Sequence, residues 1–302
     1  DWRTYVFGTL GRGGRGVFAL DATDTATLAA AGTTGNAASI FRWQFTADDD
    51  ADLGYVLSDV SISAGTGQAA PIVKLQDGRF AMVFGNGTGS TNNRAALFIL
   101  PVEGPNSGDW TGRYHKIDLG GGTGNGLSVP ALLDTNNDGM VDTAYAGDAR
   151  GNLWKVDLSS ATPSSWGSAY TASGVPAPLY VARSPTAGTP RLPITGAPQF
   201  SFASFGGVMV TFATGRSVLT GDFPRTDRTQ RVFGIWDRPA FAIGGRTRPT
   251  GTTTLVSRTA TRNAAGEVTL SGSAIDFNNP DASLARDGWY FDLPGSSEMV
   301  MT

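Results

Sequence analysis

The nine residues DTNNDGMVD, Asp134 to Asp142, place oxygen-bearing side chains at the first, third, fifth and ninth positions and a glycine at the sixth. Calcium is a hard cation that takes about six to eight oxygens from carboxylates, amide carbonyls, backbone carbonyls and water. In this register Asp134, Asn136, Asp138 and Asp142 supply four side-chain donors. The Met140 main-chain carbonyl is a fifth, which leaves that side chain free to be apolar. Gly139 falls where the loop must turn sharply and a Cβ would hinder it. Two carboxylates about 4 Å apart repel by roughly 4 kcal/mol at an effective dielectric near 20. Three facing inward therefore need a cation or must splay apart, and one Ca2+ would leave the loop with a single net negative charge. Magnesium suits the set less well, because it prefers tight octahedral geometry and keeps its waters. The bland alternative is an acidic surface turn, since Asp, Asn and Gly are ordinary turn residues.

The agreement with a helix–loop–helix calcium site ends after nine positions. The twelfth is Tyr145 rather than a bidentate glutamate, and the flanks VPALLD and DTAYAGD read as strands, so a β-hairpin must carry the loop. Similar hairpins recur along the chain: YVFGTL with GVFALD, RFAMVFGNG with ALFILP, DTAYAGD with GNLWKVDL, and GVMVTFATG with RVFGIWD, then DGWYFDLP. The shorter segments AAPIVKL, SVPALLD and GAPQFSF precede three of them. Three or four strands per unit is the content of a propeller blade. Second strands are predicted near Val17, Leu97, Leu153, Val232 and Trp289, at spacings too irregular for compact blades. FRWQF, Phe41 to Phe45, is a further candidate strand; Thr23 to Asn36, Ser159 to Arg191 and Ala242 to Asn279 read as insertions. The expected fold is all-β, a modified β-propeller with long loop insertions spanning residues 1–302 as one domain.

Composition agrees. Among 302 residues there are 41 glycines but only three glutamates and three lysines, so the usual fillers of helix surfaces are scarce. Net charge is −3, with no basic run interleaved with aromatics, which argues against nucleic acid. No apolar run approaches the roughly 18 residues that span a bilayer. The absence of cysteine removes disulfides, thiolate metal sites and cysteine nucleophiles. GRGGRG, Gly11 to Gly16, fits a dinucleotide fingerprint in letters only, because a strand follows it where a helix is required. FGNGTGS and GGGTGNG lack the Lys-Ser/Thr of a phosphate loop and read as turns. The lone histidine, His115, lies in RYHKIDL, an expected edge strand, and no G-x-S-x-G elbow accompanies it. DDDAD, Asp48 to Asp52, lacks the alternation of the longer motif and reads as a solvated loop.

LLDTNNDGMVDTAYAGDARGNLWKVDL resembles the calcium-loop blade of the PilY/PilC-type type IV pilus biogenesis factors, whose C-terminal domain is a modified β-propeller with quinoprotein-dehydrogenase-like blades. WRTYVFGTLGRGGRGVFALDATD and DGWYFDLPGSSEMV resemble flanking parts of that domain. The resemblance implies a non-enzymatic piece of a longer exported protein at the pilus tip, outer surface or outside the cell, with a closing blade beyond this C-terminus. It implies minor pilins and a host surface as partners, and no small-molecule substrate. It also implies that calcium binding and release at Asp134, Asn136, Asp138, the Met140 carbonyl and Asp142 regulate pilus extension, twitching motility and attachment. Two other propeller classes share features. Integrin-like repeats carry a similar loop but in several consecutive blades, whereas one copy occurs here; quinoprotein dehydrogenases share strands like AGDARGNLWKVDL but often use a vicinal disulfide, impossible without cysteine.

Overall fold

The computed structural model describes residues 2–300 apart from 32–36, 58, 64–67, 205, 219, 223–225, 239–247, 250, 278–285 and 296. Its organisation follows from side-chain alternation along strands. In Phe80–Gly85, Ala81 and Val83 face one apolar cluster while Met82 and Phe84 face another. In Arg94–Pro101, Ala95, Leu97 and Ile99 join the first cluster and Ala96, Phe98 and Leu100 the second. A strand that is apolar at every position must be covered on both faces. The runs FAMVFG and ALFILP are thus the mark of a sheet sandwiched between two others.

Four sheets stack in chain order. The first pairs Tyr5–Thr9, Gly16–Asp21 and Phe41–Thr46. The second runs through Val73–Lys74, Phe80–Gly85, Arg94–Pro101 and His115–Gly121. The third comprises Ala131–Leu133, Thr143–Gly147, Asn152–Asp157 and Gly167–Ser168, with Ile62–Ser63 added in parallel at one edge. The fourth holds Gln199–Phe202, Val208–Ala213, Arg231–Asp237 and Gly288–Asp292. Apolar layers fill the spaces between: Trp43, Phe45, Phe84 and Phe98 between the first and second sheets, Leu97, Leu132, Ala144 and Trp154 between the second and third, and Tyr145, Leu153, Val210 and Phe233 between the third and fourth. These are antiparallel blades of a modified β-propeller. Among the described residues the only α-helix is Thr25–Ala31, within the expected insertion Thr23 to Asn36, and Asp24 caps it by accepting from the Ala26 amide and the Thr27 hydroxyl.

Glycine permits the close approach of successive blades. A Cβ on Gly126 would lie 1.8 Å from the Gly87 carbonyl oxygen, and one on Gly85 would lie 2.0 Å from that of Ser128. Between them sits Asn86, fully buried, whose amide donates to the Asp52 and Arg94 carbonyls and whose Oδ1 accepts from the Ala96 and Leu127 amides. GRGGRG is a turn, as expected, a short 3-10 turn between two strands, whereas FGNGTGS ends the strand Phe80–Gly85 and continues into a segment in which Thr88 bridges to Tyr55. Gly126→Ala is expected to cost at least about 2 kcal/mol, since backbone rather than a flexible side chain must give way; urea unfolding with an unchanged midpoint would contradict this packing.

Several expectations need correction. The segment near Trp289 does not open a fifth unit: Gly288–Asp292 pairs antiparallel with Arg231–Asp237 inside the fourth sheet. A hairpin, Leu255–Arg262 with Val268–Ser271, is inserted between those partners and lies parallel to Gly288–Asp292 along its first strand. The expected insertion Ala242 to Asn279 contains this hairpin, while its residues 242–247, 250 and 278–279 lie outside the described residues. Ser159 to Arg191 is not wholly an insertion. Gly167–Ser168 supplies the outer strand of the third sheet, and Tyr180–Val181 pairs with Asn152 and Leu153.

Candidate metal centre

The DTNNDGMVD loop joins Ala131–Leu133 to Thr143–Gly147, the hairpin placement its flanks require. Leu133 pairs with Thr143, and the Asp142 amide donates to the Leu133 carbonyl at 3.0 Å, so Asp134 and Asp142 stand side by side at the hairpin mouth. Two left-handed residues fold the loop back on itself, Asn137 at φ 60° and Gly139 at φ 83°. Nothing lies within 4 Å of a Cβ built on Gly139, so its backbone angle and not lack of space asks for glycine.

The loop is organised by its own polar groups. Asp134 accepts from the amides of Asp138, at 3.2 Å, and Gly139, at 2.7 Å. Asn136 Oδ1 accepts from the Asp138 amide at 3.0 Å, and its Nδ2 donates to Asp138 Oδ2 at 3.0 Å. Asp138 also accepts from the Met140 amide, and Gln76 of the second blade donates to it at 3.2 Å. The Met140 amide, foremost, and the Gln76 and Asn136 amides hold the Asp138 carboxyl below the ordinary carboxylate value. Asp142 is turned toward Thr135, whose amide and hydroxyl donate to Oδ2 at 2.8 and 2.7 Å. Its other oxygen, Oδ1, is buried and has no hydrogen-bond partner.

The structure thus brings Asp138 into contact with both Asp134 and Asn136 and sets Asp142 beside Thr135. Among the described residues, no three Asp, Glu or His side chains converge tightly enough to hold a metal by themselves. The donor chemistry nevertheless fits a hard cation. All five candidate donors are oxygens, and the orphaned Oδ1 of Asp142 is a buried acceptor, a state that costs free energy unless something satisfies it. Asn136, Asp142, Thr135 and Gln76 line one cleft of about 310 Å³, together with Lys155 and Asp157.

The other motifs resolve into structure. His115 lies on the outer strand of the second sheet, where its ring meets Trp166 edge-on and Nε2 faces the Arg79 guanidinium at 3.3 Å. Burial first, then Arg79, depresses its basicity, which suits a neutral imidazole accepting a hydrogen bond. DDDAD is not simply a solvated loop. Asp52 is buried, and Lys116 bridges Asp50 and Asp52 at 2.8 and 2.7 Å while the Tyr114 hydroxyl and the Asn92 amide complete the cluster. A lysine 64 residues away gives that acidic run its partner.

Sequence reasoning passed over two anchoring carboxylates. Asp148, in AGDARGN, is fully buried and accepts from the amides of Arg150 and Asn152 and from the side chains of Asn125, Asn152 and Trp154. Its signal was available: Asn86 in FGNG and Asp148 in AGDA follow the last glycine of equivalent strands. Asp237, at the end of RVFGIWD, gave no local sign. It accepts from Tyr145, 92 residues away.

Comparison with known proteins agrees with this architecture. The family model for the PilY1 beta-propeller domain matches residues 1–283. A type IV pilus biogenesis factor PilY1 homolog of Xylella fastidiosa is 34% identical over 97% of the chain, which spans 18% of that relative. Type IV pilus biogenesis factor PilY1 of Pseudomonas aeruginosa is 33% identical over 97% of the chain, which spans 25% of it. The crystal structure of the Pseudomonas aeruginosa PilY1 C-terminal domain superposes with a TM-score of 0.74 at 30% identity, covering 99% of this chain and 60% of that one. The chain therefore spans a quarter or less of these full-length relatives. Blade order, strand pairing and family match agree: this chain belongs to the PilY1 β-propeller family.

Proposed function

We propose that this chain is a calcium-responsive propeller of a type IV pilus biogenesis protein, in which binding and release of the ion regulate pilus extension against retraction, and so twitching motility and surface attachment. Asp134, Asn136, Asp138 and Asp142, with the Met140 carbonyl, would hold the ion. The observation that carries the reading is the buried, unpartnered Oδ1 of Asp142 in an all-oxygen loop. When bound, calcium supplies charge neutralisation and a link between the two sides of the hairpin mouth. The protein's own contribution is positional. Thr135 fixes Asp142 through Oδ2 and leaves Oδ1 free, and the Asp138 and Gly139 amides hold Asp134 in the turn. Gln76 ties the loop to the second blade, so loop order is linked to the contact between blades two and three.

The role is regulatory and adhesive rather than enzymatic, at the pilus tip or outer surface, with minor pilins and a host surface as partners. Relatives are named as pilus biogenesis factors. Among the described residues no helix is long and apolar enough to cross a membrane. The test is genetic: a strain whose full-length protein carries Asp142→Ala should make normal amounts of that protein yet show altered surface piliation and reduced twitching. Motility and attachment indistinguishable from the parent would reduce the loop to a structural staple.

A further inference from the structure

The buried carboxylate of Asp237 bears directly on the metal loop. It sits at the end of Arg231–Asp237 in the fourth blade, with a side chain only 2% exposed. Three donors from the third blade and its following segment converge on it. Lys155 Nζ lies 2.7 Å from Oδ2, the Tyr145 hydroxyl donates to the same oxygen at 2.6 Å, and the Tyr170 hydroxyl donates to Oδ1. Burial, reinforced by Asp237, raises both phenols far above their ordinary value, so they remain donors. Tyr145 is on the strand that follows Asp142, and Lys155 is its cross-strand partner.

Lys155 also lines the cleft that contains Asp142 and Asp157. Asp157 Oδ1 already accepts from the Ser159 amide and hydroxyl. Asp142 Oδ1 has no partner. An ammonium on a flexible four-carbon stem is a point charge that can redirect within such a space. A lysine pairing with Asp142 would compete with any divalent cation for the same oxygen.

We propose, building on the calcium reading above, that Asp237 is a positioning residue for the metal loop: it holds the Lys155 ammonium against the fourth blade and so keeps Asp142 open to the cation. Cation affinity is thereby tied to the contact between blades three and four, because the restraining carboxylate belongs to the neighbouring blade.

Calcium titration of chelator-treated protein by calorimetry tests this with Asp237→Asn, Lys155→Met and the double variant. Asp237→Asn keeps an oxygen for one tyrosine hydroxyl, offers its NH2 to the oxygen of the other, and removes the charge that retains Lys155. Calcium affinity should fall about tenfold, equivalent to 1.4 kcal/mol. Lys155→Met should bind at least as tightly as the parent, and the double variant should regain parental affinity to within about threefold, or roughly 0.6 kcal/mol. A merely structural role for Asp237 predicts a loss that Lys155→Met does not rescue, which would overturn the proposal, as would a folded Asp237→Asn with parental affinity. Lys155→Met decides independently of how well Asp237→Asn folds, because weaker binding in that variant overturns the competition outright. A parent chain that takes up no calcium overturns the calcium reading and the proposal together, whereas a binding parent with an unaffected Asp237→Asn overturns the proposal alone.

Discussion

Asp148→Ala is expected to lower the stability of the propeller by about 3 to 5 kcal/mol, the range found when a buried hydrogen-bonded charge is removed from its partners. The carboxylate closes the turn between Thr143–Gly147 and Asn152–Asp157, and its five donors, at 2.7 to 3.3 Å, lose this acceptor once it is gone. For a chain of this size, with about 2 to 4 °C per kcal/mol, the melting temperature should fall by roughly 6 to 20 °C. The isosteric Asp148→Asn should also be harmful. The amides of Arg150 and Asn152 could still be served at Oδ1, but an NH2 at the Oδ2 position would face the donors of Asn125, Asn152 and Trp154. A melting temperature within about 2 °C of the parent in either variant would mean that the turn is held by its backbone alone.

Asp142→Ala is expected to weaken calcium binding by about 100-fold or more, a loss near 2.7 kcal/mol. The fold should survive, because the variant removes an unsatisfied buried oxygen along with the two Thr135 contacts. In the absence of calcium its melting temperature should therefore stay close to that of the parent, while the upward shift on adding calcium should vanish. Retained affinity would place the ion elsewhere; a collapse of the calcium-free protein would make Asp142 a residue of the fold.

The candidate metal loop was legible as a hairpin turn because its contacts are local. Five donors and a left-handed glycine fall within nine residues, and the strands beside them carry their own alternation. The blade count was less legible. Gly288–Asp292 has all the local marks of a strand but none of its partner, and only the register Val232 to Phe291 shows that it completes an existing sheet. Similarly, Gly167–Ser168 is too short to announce itself and becomes a strand through pairing with Val156 and Asp157. Charge pairing follows the same rule. DDDAD read as solvated because Lys116 and Tyr114 are brought to it by the second blade, and nothing in RVFGIWD foretells that its final aspartate meets a lysine and two tyrosines. Contacts between blades are long-range by construction, so periodicity within a strand identifies which faces are buried without identifying what covers them.

Whether DTNNDGMVD holds a calcium ion is decided by titrating calcium into the chelator-treated chain by calorimetry while following its melting temperature. One site of micromolar to millimolar affinity is predicted, with a stabilisation of about 2.7 kcal/mol when free calcium exceeds the Kd about 100-fold. An absence of both binding heat and thermal shift would mean that the loop holds no calcium and is an acidic hairpin turn.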